Sequence, residues 1–171
     1  MDNALHNLSY PIATDQIAWP EGKTAFLNAR AHASLDKLGE PLLHQPFKPY
    51  ARALEEQRRK VNPALPEEKA ACDTVLALLP KNAIEARYII ASGFHMLRKD
   101  GMLLCAADNK AGGDRAAKML KELGFKNVRH VSKNKARAAW GIKGREKESI
   151  AAALREGAAR LIPETGFVSQ P

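Results

Sequence analysis

The chain has 171 residues, with 27 Lys and Arg against 19 Asp and Glu, and so a formal charge of +8. Hydrophobic residues make up 45% and charged residues 27%, a globular balance that excludes a disordered tail, a collagen-like fibre and a disulfide miniprotein. At this length one domain buries roughly 68–70% of its unfolded surface without staples. No run reaches the ~18 apolar residues of a membrane span. The basic excess points to a polyanionic partner. Met1–Asp15 carries Asp2 and Asp15, lacks a basic start and has no continuous apolar stretch, so it does not resemble an export signal. Cys72 and Cys105 stand far apart and outside any C-x-x-C arrangement, which suits small buried hydrophobes in a cytoplasmic protein. His6, His32, His44, His95 and His130 share no ligand spacing with them, so no metal site is expected.

Upstream, Thr24–Ala29 suits a first strand and Pro41–Gln45 a second, followed by a helix over Lys48–Lys60 that begins near Pro49. The middle is clearer. Thr74–Leu79 is a short continuous apolar run, as expected of a strand buried on both faces, and it stops at Pro80. Asn82 offers an N-cap with Glu85 three residues on, and apolar residues from Ile84 keep helical spacing up to Arg98. Asp100-Gly101 then turns the chain into a second buried strand, Met102–Ala107, and a helix follows from about Gly113 to Leu123, capped by Gly124. Strands near Asn127–Ser132 and Arg137–Ile142 flank a short hairpin connection, Lys133–Ala136. Ser149–Leu161 reads as one more helix, and Pro163–Pro171 as an extended run.

Strand alternating with helix at this spacing predicts an α/β fold, a doubly wound and mostly parallel sheet that ends in an antiparallel hairpin. Ligands of such sheets bind outside the carboxyl ends of the strands. Those ends are Asn28–Ala31, Gln45–Pro46, Leu79–Asn82 and Ala107–Lys110.

The series Cys72-Asp73-Thr74, Leu79-Pro80-Lys81-Asn82 with Glu85-Ala86, and Asp108-Asn109-Lys110-Ala111-Gly112 resembles the N-terminal half of the ribosomal RNA small-subunit methyltransferase C family. The match covers about residues 72–143, with weaker likeness at Trp19–Gly22 and Phe26–Arg30, and Pro163–Phe167 is similar to the family's connector. The resemblance implies a Rossmann-like class I methyltransferase fold. In this family a C-terminal half uses S-adenosylmethionine to methylate the exocyclic amine of a guanine in small-subunit rRNA. The N-terminal half is a degenerate copy that helps to hold the RNA and supports the active half. The implied division is residues 1–148 for the N-terminal domain and 149–171 for a helix and connector toward a catalytic domain that this chain does not include.

Active methyltransferases of this class need a Gly-rich turn after the first strand, where a Cβ would collide with the cofactor. Here that turn is Asn28-Ala29-Arg30-Ala31-His32. They also need an acid after the second strand for the ribose hydroxyls, and Gln45-Pro46-Phe47 has none. Amine methylation further uses an Asn-Pro-Pro-aromatic motif, whose place is taken by Leu79-Pro80-Lys81-Asn82. The expectation is therefore a degenerate site at Asn28, Ala29, Arg30, Leu79, Pro80, Lys81 and Asn82, no catalytic residue and no cofactor bound by this chain. Gly112-Gly113 matches neither GxGxxG nor GxxxxGK[ST] and reads as a tight turn.

Between Lys126 and Lys147 eight basic residues face one acid, Glu146, a local charge of +7. A hairpin so charged is a candidate phosphate-tracking surface, or a solvated edge that blocks aggregation. The candidate RNA contacts are Lys126, Arg129, Lys133, Lys135, Arg137, Lys143 and Arg145, with Lys81 and Lys110 at the strand ends. The expected partners are ribosomal RNA and the catalytic domain of the same protein. Two other readings stand beside this one: a self-contained methyltransferase with an atypical site, and a structural or dimerising module.

Overall fold

The computed structural model describes residues 2–161 and 168–169. Its centre is a seven-stranded sheet in the order β3-β2-β1-β4-β5-β7-β6, and the expected fold class, a mostly parallel doubly wound sheet ending in an antiparallel hairpin, is borne out. The strands are β1 (Thr24–Leu27), β2 (Leu42–His44), β3 (Val61–Asn62), β4 (Cys72–Leu78), β5 (Leu97–Asp108), β6 (Phe125–Lys133) and β7 (Ala136–Lys143). All pairings from β3 to β5 are parallel, and β7 returns antiparallel between β5 and β6.

The alternation of side chains along the central strands makes two cores. Val75, Ala77, Leu103 and Cys105 face α3 (Ala83–Met96), α4 (Ala116–Glu122) and α5 (Glu148–Gly157). Leu76, Leu78, Leu104 and Ala106 face α1 (Asn3–Ala13) and α2 (Lys48–Glu56), with Leu8, Ile12 and Leu54 in the same core. Burial on both faces is why β4 and β5 read as continuous apolar runs rather than alternating ones. Asn82 caps α3 as expected, its Oδ1 accepting from the N–H groups of Ile84 (2.9 Å) and Glu85 (3.1 Å). Within α3, a Cβ on Gly93 would lie 2.7 Å from Leu103 Cδ1, so this residue lets the helix sit close on the sheet. The β6–β7 connection is a two-residue turn with Asn134 and Lys135 at φ 50° and 61°, the twist that a tight hairpin requires.

Several expectations are corrected. α1 had no counterpart in the sequence reading, nor did β3. The helix expected over Lys48–Lys60 ends at Glu56, and that over Ser149–Leu161 ends at Gly157. Arg160–Leu161 instead forms a two-residue ladder with Val168–Ser169. The remainder of Pro163–Pro171 lies outside the described residues. β5 already begins at Leu97, and Asp100 enters it in the left-handed region (φ 60°) rather than ending a separate turn. The helix expected from Gly113 starts as a 3-10 turn, Gly113–Arg115, before α4.

The crossovers place the site. A 3-10 helix, Ala33–Leu38, links β1 to β2, α2 links β2 to β3, and α3 links β4 to β5. Between β3 and β4 the chain runs from Pro63 to Ala71 without a helix, because Pro63 and Pro66 withhold N–H donors and bias the residues before them away from helix.

Candidate functional site

The sheet reverses its direction of growth between β1 and β4, and such switch points are where doubly wound sheets receive ligands. In this chain the crevice is bridged. Asn28, in the left-handed region at φ 53°, donates from Nδ2 to the carbonyl of Leu78 across the switch point at 3.0 Å. The turn after β1 is tied to the end of β2 as well. Its Asn28 N–H donates to His44 Nδ1 (3.3 Å), its Ala29 N–H to the His44 carbonyl (2.9 Å), and Gln45 Nε2 donates to the Ala29 carbonyl (2.7 Å). Burial pushes the His44 imidazole down to about 4, so the ring is neutral at pH 7 and free to accept at Nδ1. The backbone groups that a Gly-rich turn would offer to a ligand are thus spent inside the protein.

Beside this bridged turn a cleft of about 730 Å³ opens, bounded by Asn28, His44 and Pro46, the Pro63–Lys69 segment, and Glu85 and Tyr88 of α3. It exists because no helix follows β3. Burial holds the Glu85 carboxyl above its usual range. Sequence reasoning missed the cleft and His44; the two prolines after β3 were the available signal. Neither the turn nor the cleft presents a paired acid for ribose hydroxyls at the end of β2, where Gln45 accepts instead from the Phe47 N–H (2.9 Å). At the end of β4, Leu79-Pro80-Lys81-Asn82 offers no aromatic, and the Asn82 side-chain oxygen is occupied as the α3 cap. Among the described residues no group of three His, Cys, Asp or Glu is arranged to hold a metal.

The basic residues do not form one patch. β7 runs antiparallel to β5, so the hairpin tip lies on the carboxyl rim of the sheet, where the Asn109 N–H donates to the Lys135 carbonyl (2.9 Å). Lys81, Lys110, Lys133, Lys135 and Arg137 share this rim. Lys133 Nζ lies 4.2 Å over the Tyr10 ring, and Arg137 Nε donates to Ser132 Oγ (2.8 Å). The seven residue steps of β7, about 23 Å at ~3.3 Å each, separate them from Lys126, Lys143 and Arg145. At that opposite rim Lys126 pairs with Asp100 (2.9 Å). Lys143 turns inward, donating to the Leu97 carbonyl (2.7 Å) over the Phe94 ring, and burial holds its ammonium below the usual lysine range. Arg129 lies exposed along β6 between the two rims. The single +7 surface suggested by proximity in sequence is therefore two surfaces in space.

A family model, methyltransferase small domain N-terminal, matches residues 31–139. Among solved structures, the chain superposes on the T. thermophilus 16S rRNA N2 G1207 methyltransferase (RsmC), solved in complex with AdoMet and guanosine, with a TM-score of 0.70 and 21% identity. That superposition covers 85% of this chain and 40% of the other, so this chain spans well under half of the enzyme's length. A SAM-dependent O-methyltransferase from Thermotoga maritima matches with a TM-score of 0.63 and 12% identity over 83% of this chain and 66% of that one. A Haloferax volcanii complex of the Trm112 methyltransferase activator with a putative methyltransferase matches at 0.63 and 11%, over 82% of this chain and 91% of that one. A search of curated protein sequences gave no match. One expectation falls here. The expectation that this chain binds no cofactor rests on the altered β1 turn, the missing acid after β2 and the replaced motif after β4, and it is corrected because the T. thermophilus structure that shares this fold was solved with AdoMet. With the sheet order of the class I methyltransferases and a family match over residues 31–139, the chain belongs to the methyltransferase small domain N-terminal family.

Proposed function

We propose that this chain is the N-terminal half of an S-adenosylmethionine-dependent small-subunit rRNA guanine-N2 methyltransferase. In this reading it holds RNA and supports a catalytic half rather than transferring the methyl group itself. In this reading the Rossmann-like part runs through α5, whose Ile150 and Ala153 are buried in its core, and the chain after α5 leads toward the catalytic domain. The protein works in the cytoplasm with Cys72 and Cys105 as buried thiols. The observation that carries the proposal is the state of the strand ends. The Asn28–Leu78 bridge crosses the switch point, and no amide-and-aromatic pair is free after β4 to orient a target amine. On the same rim Lys81, Lys110 and Lys135, which have no side-chain partner among the described residues, are open to an anion. AdoMet, when bound, supplies an electrophilic methyl group. In this chain Pro46, Glu85 and Tyr88 line the space that would receive it, while Asn28 and His44 keep the β1 turn closed.

The test is radiolabelled methyl transfer from AdoMet to small-subunit RNA, with the chain alone and with its catalytic half supplied in trans. The expected result is no transfer by the chain alone and RNA binding that falls as salt rises. Transfer by the chain alone would favour the second reading, a self-contained methyltransferase, which the 730 Å³ cleft supports.

A further inference from the structure

Among the described residues, most of the exposed large apolar side chains lie at one end of the sheet. Of Trp19, Phe47, Tyr50 and Ile84, only Trp19 lies before β1, beneath Lys37; the other three follow β2 and β4 on the carboxyl rim. Phe47 is 55% exposed and closes the turn into α2, with its N–H fixed by Gln45 Oε1. Tyr50 meets it edge to face, with ring centroids 5.2 Å apart at 65°. The Arg30 guanidinium covers the Tyr50 ring at 4.5 Å and is itself paired with Asp2. Tyr50 is thus pinned from one side and braces Phe47, whose own ring stays open to solvent without serving the core.

Strand order continues from this ledge to the lysines. The rim passes the ends of β2, β1, β4 and β5 and then the β7–β6 tip, five intervals of ~4.8 Å or about 24 Å. Along it stand Arg30, Lys81, Lys110, Lys135 and Lys133. Lys81, Lys110 and Lys135 are exposed and have no side-chain partner among the described residues. A rigid ring with a free face beside a row of unpaired cations is the arrangement that binds single-stranded nucleic acid, because every unpaired base has a π-face and every linkage a phosphate. A duplex could use the cations but not the ring, since its bases are already stacked.

We propose that the carboxyl rim is a track for an unpaired RNA strand, with one base stacked on Phe47 and the phosphates led along Lys81, Lys110 and Lys135. The track rests on the reading of this domain as the RNA-holding half and says where and in what form the RNA is held. The row of cations favours a polyanion over a protein surface at the ledge.

The test is fluorescence anisotropy of the 171-residue chain with a labelled 12-nucleotide oligoadenylate and with an RNA hairpin stem of the same charge, each over a salt series. Phe47→Ala is expected to weaken oligoadenylate binding about 5- to 150-fold, to leave its salt slope unchanged, and to change stem binding less than twofold. Phe47→Tyr restores binding. Lys110→Gln and Lys135→Gln each reduce the salt slope by about 0.7. Circular dichroism confirms the fold of each variant. If RNA binds but Phe47→Ala loses nothing, or loses stem binding equally, the track is wrong and RNA holding survives. If no RNA binds at any salt, the RNA-holding reading itself fails. If Phe47→Ala spares RNA and abolishes co-purification with the catalytic half, the ledge is a protein interface and the track is overturned.

Discussion

His44 is the buried titratable group that ties β1 to β2, and acid should loosen that tie. The side chain is 3% exposed and accepts the Asn28 N–H at Nδ1, so the protonated ring loses both its solvation and this bond. Its folded value of about 4 lies below the ordinary 6.5. The native state therefore binds fewer protons than the unfolded chain between these values. The contribution to stability is complete above pH 6.5 and is lost as the pH falls toward 4. Moving from pH 7 to pH 5 should cost about 2 kcal/mol, or a drop of about 4–8 °C in Tm for a chain of this size. Urea denaturation at pH 7, 6 and 5 measures it. The comparison protein is His44→Asn, whose Oδ1 falls where Nδ1 was and does not titrate. Subtracting the two profiles removes the exposed histidines and Glu85, whose raised carboxyl acts in the opposite sense at lower pH. Parallel profiles for wild type and His44→Asn would refute the reasoning.

Other substitutions test the remaining joints. Asn28→Ala loses the bridge to Leu78 and replaces a residue that tolerates the left-handed region with one that does not, about 2 kcal/mol in all, whereas Asn28→Gly loses the bond without backbone strain, about 1 kcal/mol; a larger loss for Gly than for Ala in urea melts would contradict this reasoning. Asn82→Ala removes the α3 cap and should lower stability by ~1 kcal/mol, seen as a Tm about 2–4 °C lower. A Cβ on Gly157 would lie 2.5 Å from Tyr88 Cγ, so Gly157→Ala should wedge α5 from α3 at about 1–3 kcal/mol and speed hydrogen exchange in α5 before the sheet. Phe94→Ala, at a fully buried ring set edge to face with Phe125 at 5.3 Å, should cost about 3–5 kcal/mol by chemical denaturation.

The sheet was legible where one local signal sufficed. The unbroken apolar run of β4, the stop at Pro80 and the Asn82 cap fixed the β4–α3 unit, and Asn134 sat where the hairpin needs a left-handed residue. α1 was not legible because Pro11 lies inside it and its register carries His6, Asn7 and Ser9. Its burial is decided by tertiary contacts with Leu104 and Trp140, not by local pattern. β3 is two residues long, too short for any periodicity. The site was legible only in outline. Sequence spacing placed the strand ends together, but it could not show that the β1 turn bonds to His44, nor that the missing helix after β3 leaves a cleft. Charge counting erred for a geometric reason: residues adjacent along a hairpin reach both rims of a sheet, so Lys135 and Lys143 ended on opposite sides. Phe47 and Tyr50 were overlooked because exposure, not residue type, makes an aromatic pair a ledge.

In the proposed function RNA lies along the carboxyl rim. Ultraviolet cross-linking of the chain to small-subunit RNA, followed by mass spectrometry of the attached peptides, tests it most directly. The account predicts adducts at Phe47 or Tyr50, near Lys110, and in residues 133–137. Adducts confined to Lys99, Arg145 and Lys147 on the opposite rim, or none at low salt, would contradict it.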